Sequence, residues 1–124
     1  GMVSIFISQA IDKGVIHVKG DLNRFRDFIY IDDVVNIWYE LANDASLVNL
    51  TINMGSGVRT TISELLREIK NNIPNITYFN DGITPGDQKG IYADNSLLVE
   101  KLGFLKFTSL ATGLKNYINE VLKN

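Results

Sequence analysis

The sequence lacks cysteine entirely and contains a single histidine among its 124 residues. Without thiols it can form neither disulfides, nor thiolate metal sites, nor a cysteine nucleophile, and a cytoplasmic location is predicted. No apolar run approaches the roughly 20 residues of a membrane span, and the first residues do not have the layout of a signal peptide. Basic runs are also absent and the net charge is -2, so neither nucleic acid nor a membrane surface is predicted as a partner.

The remaining composition is that of one ordinary globular domain covering residues 1–124. The chain is 45% hydrophobic and 21% charged, which allows a buried core without cross-links. Helices are predicted around the apolar stripes of residues 3–11, 34–42, 62–73, 97–102 and 110–122, and strands over residues 15–18, 28–31, 50–54 and 76–79. Because strands and helices alternate, the predicted class is α/β, a small sheet with flanking helices.

The most distinctive stretch is Arg24-Phe25-Arg26-Asp27-Phe28-Ile29-Tyr30-Ile31-Asp32-Asp33. In an extended backbone Arg24 and Arg26 point the same way, and residues 28–31, apolar on both faces, are predicted to form a buried strand. The two final aspartates precede an amphipathic run, where carboxylates favour a helix start, and at least one is expected to cap it. Arg26 is therefore predicted to contact whatever the protein binds.

The sequence alone leaves two partners open for Arg26. An arginine beside a buried strand needs a negative group, because its desolvation is otherwise costly. That group is either a carboxylate of the same domain, which is the simpler interpretation, or a phosphate of a ligand.

Three other features are interpreted as structural. Gly55-Ser56-Gly57 lies where a phosphate loop would lie, but Thr60 stands in place of the third glycine of the dinucleotide fingerprint, so a tight turn is predicted. Trp38 shares the apolar stripe of its helix and is predicted to lie in the core. His17, the single histidine, is expected to be structural or exposed rather than catalytic.

No catalytic residue and no metal ligand is predicted. Asp32 and Asp33 are adjacent, so they cannot easily share one substrate atom. Asp87 lies in a Pro-Gly-Asp turn, where an aspartate commonly bonds to nearby backbone.

Seven short segments, in a particular order, resemble the C-terminal part of a known enzyme family. The segments are residues 15–20, Arg26-Asp27-Phe28 with its continuation to residue 34, residues 52–57, Pro85-Gly86-Asp87, and residues 93–96, 102–104 and 110–114. Together they resemble the NAD-dependent sugar-nucleotide epimerase/dehydratase family, the extended short-chain dehydrogenases, and within it the UDP-glucose 4-epimerases. The resemblance covers essentially the whole chain and implies the C-terminal portion of such an enzyme, with the N-terminal Rossmann half absent.

The resemblance also implies a nucleotide-sugar site. In the family, the arginine of the Arg-Asp-Phe/Tyr motif contacts the substrate diphosphate, and that position is Arg26 here. A forked guanidinium suits a diphosphate. Asp87 matches the aspartate of the family's Gly-Asp motif, but Thr84 replaces a second family arginine, and Arg24 and Lys89 are the candidates to compensate for its charge. The predicted substrate-binding residues are thus Arg26, Asp87, Arg24 and Lys89.

Family members also carry a Gly-rich NAD loop and a Tyr-x-x-x-Lys pair, and this sequence has neither. The resemblance therefore implies NAD for a full-length parent and no cofactor site in this chain, which alone is expected to be inactive. The predicted function is to bind a UDP-sugar or another nucleotide-diphosphate sugar, as the substrate-binding fragment of a larger enzyme. The predicted partners are that ligand, the missing Rossmann half and a second copy of the chain. The alternative is a non-enzymatic interaction or scaffold module derived from such an enzyme.

Overall fold

The fold alternates helices with short strands, as predicted. The computed structural model describes residues 1–47, 49–82, 86, 88–103 and 106–123. These residues contain the helices α1 (Met2–Lys13), α2 (Ile31–Asn43), α3 (Ile62–Asn72), α4 (Ser96–Leu102) and α5 (Leu110–Lys123), with a 3₁₀ turn at Ala45–Leu47. They also contain the strands β1 (Val15–Val18), β2 (Phe25–Arg26), β3 (Thr60–Thr61) and β4 (Thr77–Asn80). The α/β class is confirmed.

The strands form two separate pairs. β1 runs parallel to β4, with Val15 opposite Thr77, and β2 runs antiparallel to β3, with Arg26 opposite Thr60. A parallel pair needs a long crossover, which here includes α2 and α3. The core lies between β1 and the helices α1, α3 and α5, whose buried side chains form one cluster with Ile16 and Val18 of β1. The side chains of β4 are all exposed.

The core is mainly aliphatic, with one aromatic side chain among its described members, and comes mostly from the predicted helical stripes. Its buried members are Phe6, Ile7, Ala10, Ile16, Val18, Ile62, Leu65, Leu66, Ile69, Ile76, Leu114 and Ile118. The helix ends also follow local sequence. Gly14 ends α1 in the left-handed conformation, at φ 64°, and its N–H donates to the carbonyl of Ala10 at 3.1 Å. Thr61 and Glu64, three residues apart, form a capping box at the start of α3.

Two predicted strands do not form. Residues 28–30 are half-buried and belong to no strand, and Ile31, 62% exposed, is already the first residue of α2. Residues 50–54 lack regular structure as well. A strand requires a neighbour for its backbone hydrogen bonds, and no described strand lies beside either segment. The prediction of a strand buried on both faces at residues 28–31 is therefore wrong for the described structure.

The prediction that Trp38 lies in the core is also wrong. Its side chain is 65% exposed, and Val35 and Tyr39 on the same helix are exposed too. Ile37 is the buried residue of α2. The apolar pattern correctly predicted a helix, but it spans more of the helix surface than the described part of the protein covers.

The expected aspartate cap of α2 is replaced by a longer-range contact. Tyr30 is the N-cap residue, and no side chain caps this helix. Asp33 instead accepts hydrogen bonds from the backbone N–H of Thr108 at 2.8 Å and from its hydroxyl at 2.9 Å, so it fastens the start of α5 to α2. Ser109 caps α5, because its Oγ accepts from the N–H of Thr112 at 3.2 Å.

Candidate nucleotide-sugar site

A cavity of about 410 Å³ opens beside Arg26. Three chain segments line it: Arg26 and Asp27, then Asn53 and Met54, and then Ile91, Tyr92, Ala93 and Asp94. We call it the Arg26 pocket. Its size falls within the range of about 300–1,000 Å³ that is usual for small-molecule sites.

Backbone contacts on both sides of Phe25 place Arg26 at this pocket. β2 pairs with β3 on one side, and on the other the N–H of Phe25 donates to the carbonyl of Lys89 at 3.1 Å. The N–H of Ile91 donates to the carbonyl of Phe25 at 3.3 Å. This approach requires glycine at position 90, because a Cβ there would overlap the Phe25 ring.

The Phe25 ring anchors two further side chains. The guanidinium carbon of Arg59 lies 3.9 Å from the ring centroid, a cation–π contact. Tyr92 meets the same ring edge to face, with centroids 6.1 Å apart. Arg59 thus has a structural role, and Tyr92 is held as part of the pocket wall.

The four predicted substrate-binding residues do not all converge. Arg26 lines the pocket, and its Nη1 donates to the carbonyl oxygens of Phe25 at 2.7 Å and Gln88 at 3.4 Å. Arg24 is buried outside the pocket lining, so the two arginines are not presented together. Lys89 is exposed and also lies outside the lining. Asp87, like Thr84, falls outside the described residues, so its predicted role and that of Arg26 stay predictions.

Gly55-Ser56-Gly57 forms a tight turn whose backbone N–H groups are already occupied. Gly57 has φ 73°, and the N–H groups of Ser56 and Gly57 each donate to the carboxylate of Asp27 at 3.0 Å. A dinucleotide pyrophosphate would need these donors, which the Asp27 carboxylate already occupies. The turn therefore does not fit an NAD phosphate loop.

Sequence reasoning missed Asp27. Its contacts are with segments distant along the chain and could not be predicted from the sequence. The available signal was its position next to Arg26 in the Arg-Asp-Phe motif. Asp94, at the pocket edge, has a pKa below its ordinary value, because its carboxylate accepts hydrogen bonds from the hydroxyl and the N–H of Ser96. The pocket edge thus carries a negative charge at neutral pH.

The remaining chemistry-bearing groups lie elsewhere. His17 is exposed, and its Nδ1 contacts Asp81 at 2.8 Å on the surface, consistent with a structural role. Within the described ranges, no cluster of three or more histidine, aspartate or glutamate side chains could hold a metal ion. No helix in this part of the chain combines the length and hydrophobicity needed to cross a membrane.

A second, larger cavity is an apolar groove of about 750 Å³. Its walls are the first residues of α1, the extended segment before α2, and the start of α5. It is lined by Gly1, Met2, Val3, Ser4, Phe28, Ile29, Tyr30, Ile31, Thr108, Ser109, Leu110, Gly113, Leu114 and Tyr117. We call it the apolar groove.

The fold is that of a part of the NAD-dependent epimerase/dehydratase enzymes, so the predicted resemblance is confirmed. The UDP-glucose 4-epimerase of Thermotoga maritima, solved with UDP-glucose, matches 99% of this chain and 40% of its own, with a TM-score of 0.88 and 29% identity. TunA, an NAD-dependent NDP-hexosamine 5,6-dehydratase, shares the fold over 100% of this chain and 41% of its own, with a TM-score of 0.90 and 22% identity.

Two curated proteins agree with this assignment. One, from Methanocaldococcus jannaschii, carries the provisional name UDP-glucose 4-epimerase and is 32% identical over all of this chain and 40% of its own length. The other, the uncharacterized UDP-glucose epimerase YtcB of Bacillus subtilis, is 29% identical over 90% of this chain and 36% of its own. The chain therefore spans about 40% or less of the length of these relatives. No family model matches the chain.

Proposed function

We propose that this chain is the substrate-binding part of an NAD-dependent sugar-nucleotide epimerase or dehydratase, similar to UDP-glucose 4-epimerase, and that it binds a UDP-sugar in the Arg26 pocket. One observation carries the proposal. Arg26, the arginine of the family motif, lines a ligand-sized pocket in a chain that is 29% identical to an epimerase solved with UDP-glucose.

The chemistry of the pocket suits such a ligand. A guanidinium has five N–H donors in a planar fork, a geometry that matches phosphate oxygens. Ile91 and the ring of Tyr92 supply an apolar wall on which a base or sugar ring can pack. Arg26 is the proposed diphosphate contact and Asp87 a proposed further contact, whereas Arg24 and Lys89 lie outside the pocket lining and remain candidates from the resemblance alone.

We propose that chemical conversion of the sugar requires an NAD-binding Rossmann half that these residues do not supply. The chain has no Tyr-x-x-x-Lys pair, and its glycine turn at residues 55–57 does not fit a dinucleotide phosphate. The 124 residues alone are therefore expected to bind without turnover. One of the enzymes that share this fold was solved with NAD, which supports NAD as the cofactor of a complete protein. The cytoplasm is the proposed location, from the absence of cysteine.

We propose that the apolar groove and the exposed face of α2 form one contact surface. This surface would contact either the Rossmann half or a second copy of the chain. Ile31 belongs to both the groove and the helix face, and Val35, Trp38 and Tyr39 continue the exposed apolar face along the helix. Exposed apolar patches of this kind favour association. We therefore expect self-association when no Rossmann half is present.

Calorimetric titration with UDP tests the proposed function. Arg26→Ala should weaken binding by roughly 1.5–3 kcal/mol, or about 10- to 150-fold, because a charged hydrogen bond to phosphate is lost. Arg67→Ala is the matched control, since Arg67 is an exposed arginine on α3 whose partner is Glu68. Equal affinities for the wild type and Arg26→Ala would refute the assignment of Arg26. No UDP binding, with self-association retained, would favour the interaction-module alternative.

A further inference from the structure

We infer that Asp27 is a positioning residue that holds the two loop walls of the Arg26 pocket in place. The expected effect of Asp27 on substrate affinity rests on the proposed function. Its role in fixing the position of the two loops does not depend on that function. The carboxylate of Asp27 accepts four hydrogen bonds. Oδ1 accepts from the N–H of Ser56 at 3.0 Å and from its hydroxyl at 2.5 Å. Oδ2 accepts from the N–H of Gly57 at 3.0 Å and from the N–H of Ala93 at 3.1 Å.

These donors lie in two loops that contribute to the pocket lining: residues 53–57 through Asn53 and Met54, and residues 91–95 through their first four residues. Residues 53–57 and 91–95 contain no helix or strand within the described structure, so no ladder of backbone hydrogen bonds fixes them. They are tied to each other, because the amide of Asn95 donates to the Gly55 carbonyl at 3.0 Å and that of Asn53 to the Asp94 carbonyl at 3.2 Å. Asp27 joins this pair of loops to the residue next to Arg26 in the chain.

The packing around Asp27 leaves little room for another arrangement. A Cβ at Gly55 would stand 2.5 Å from the Cβ of Ala93 and 2.7 Å from Oδ2 of Asp27. Both distances are far below van der Waals contact, so glycine is needed for the loops to close on the carboxylate. An added methyl group at position 55 would force the two loops apart while leaving the Asp27 carboxylate unchanged.

An amide cannot replace the carboxylate. Asparagine has one carbonyl oxygen and one NH₂ group, and the NH₂ would face N–H donors on whichever side it occupied. The isosteric change Asp27→Asn therefore loses either the bond from the N–H of Ser56, whose hydroxyl can turn to accept from the NH₂ instead, or the bonds from the N–H groups of Gly57 and Ala93. We expect UDP affinity to fall roughly 10-fold or more, because displacement of binding groups by about 1 Å has effects of that size.

The test compares Asp27→Asn with Asp33→Asn by UDP titration and by amide hydrogen exchange. Asp33 is the matched control because its carboxylate also accepts backbone and hydroxyl bonds, from Thr108, but away from the pocket. Only Asp27→Asn should weaken UDP binding and expose to exchange either the N–H of Ser56 or the N–H groups of Gly57 and Ala93, according to the side on which the NH₂ lies. If Asp27→Asn does not fold, Gly55→Ala replaces it and is expected to weaken UDP binding similarly.

Each outcome decides the inference. Unchanged exchange at Ser56, Gly57 and Ala93 in Asp27→Asn, or a UDP affinity within about 2-fold of the wild type, would overturn it. Equal losses of affinity in Asp27→Asn and Asp33→Asn would also overturn it, since the effect would then be one of general stability. If the wild type does not bind UDP, the proposed function fails, and the exchange data alone decide whether Asp27 fixes the loops.

Discussion

Replacing Gly90 by alanine tests the contact that places Arg26 at its pocket. The new methyl group would overlap the Phe25 ring, and the ring cannot simply swing away. The guanidinium of Arg59 covers its face at 3.9 Å, Tyr92 meets its edge, and the backbone of residue 25 is bonded on both sides. Gly90 is not among the glycines with positive φ, so the cost comes from overpacking and not from backbone strain.

Overpacking of this kind costs about 1–3 kcal/mol of the free energy of unfolding. For a chain of this length, that corresponds to a fall in Tm of roughly 4–12 °C. Thermal and urea unfolding, followed by circular dichroism, measure the change. The control is the same substitution in a Phe25→Ala background, where the methyl group meets no ring and Gly90→Ala should change stability by less than about 0.5 kcal/mol.

Two results would refute this reasoning. One is a Gly90→Ala protein as stable as the wild type, which would mean that Phe25 does not pack on residue 90. The other is an equal loss of stability in the Phe25→Ala background, which would place the cost in the backbone of residue 90.

Three further predictions concern the pH dependence, the core and the association surface. The pKa of Glu64 is lowered because its carboxylate accepts hydrogen bonds from the N–H and hydroxyl of Thr61, so its contribution to stability is present above about pH 4.5 and is lost as the pH falls below it. The difference in unfolding free energy between wild type and Glu64→Gln, measured in urea, should therefore shrink as the pH falls through that range, and a constant difference would contradict this. Leu66→Ala should cost about 2–5 kcal/mol of unfolding free energy, whereas Leu122→Ala, at an exposed position, should cost less than about 0.5 kcal/mol, and equal effects would rule out the described core. Trp38→Ser should raise the dissociation constant of self-association roughly 10-fold or more in analytical ultracentrifugation, and an unchanged constant would show that the α2 face is not the contact.

The helices could be predicted from the sequence because their signals are local. For α3, the capping box of Thr61 and Glu64 and the stripe through Leu65, Leu66 and Ile69 lie within the helix itself. The structure starts α3 directly after Thr61 and ends it at Asn72, shortly before Pro74, whose ring disfavours helical backbone in the residue before it. Where the start, the apolar face and the end are encoded in adjacent residues, sequence reasoning suffices.

The failed predictions concern features that depend on distant partners. Residues 28–31 have a strand-like composition, but a strand exists only when another strand lies beside it, and none among the described residues does. Trp38 is on a helical apolar stripe, but whether a stripe is buried depends on what covers it. Composition and periodicity carry information about the segment and none about its neighbours.

Because sequence patterns do not show distant partners, only part of the candidate site could be predicted. Arg26 could be singled out because a charged residue beside an apolar run is visible in the sequence. Asp27 could not, because its partners Gly57 and Ala93 lie 30 and 66 residues further along the chain. The glycine turn was correctly interpreted as a turn, but the identity of the group that occupies its N–H donors required the folded structure.

The pocket separates two roles that a phosphate-binding loop combines. In such a loop, backbone N–H groups at a glycine turn face the anion directly. Here the N–H groups of Ser56 and Gly57 face the carboxylate of Asp27, so an anion that belongs to the protein occupies the turn and orders it. On the proposed function, phosphate affinity at this pocket therefore comes from the Arg26 side chain, while the glycine turn supplies the rigid wall. In this proposal the Arg-Asp pair acts as a unit: the arginine would provide the charge for the ligand, and the adjacent aspartate would fix the loops around it.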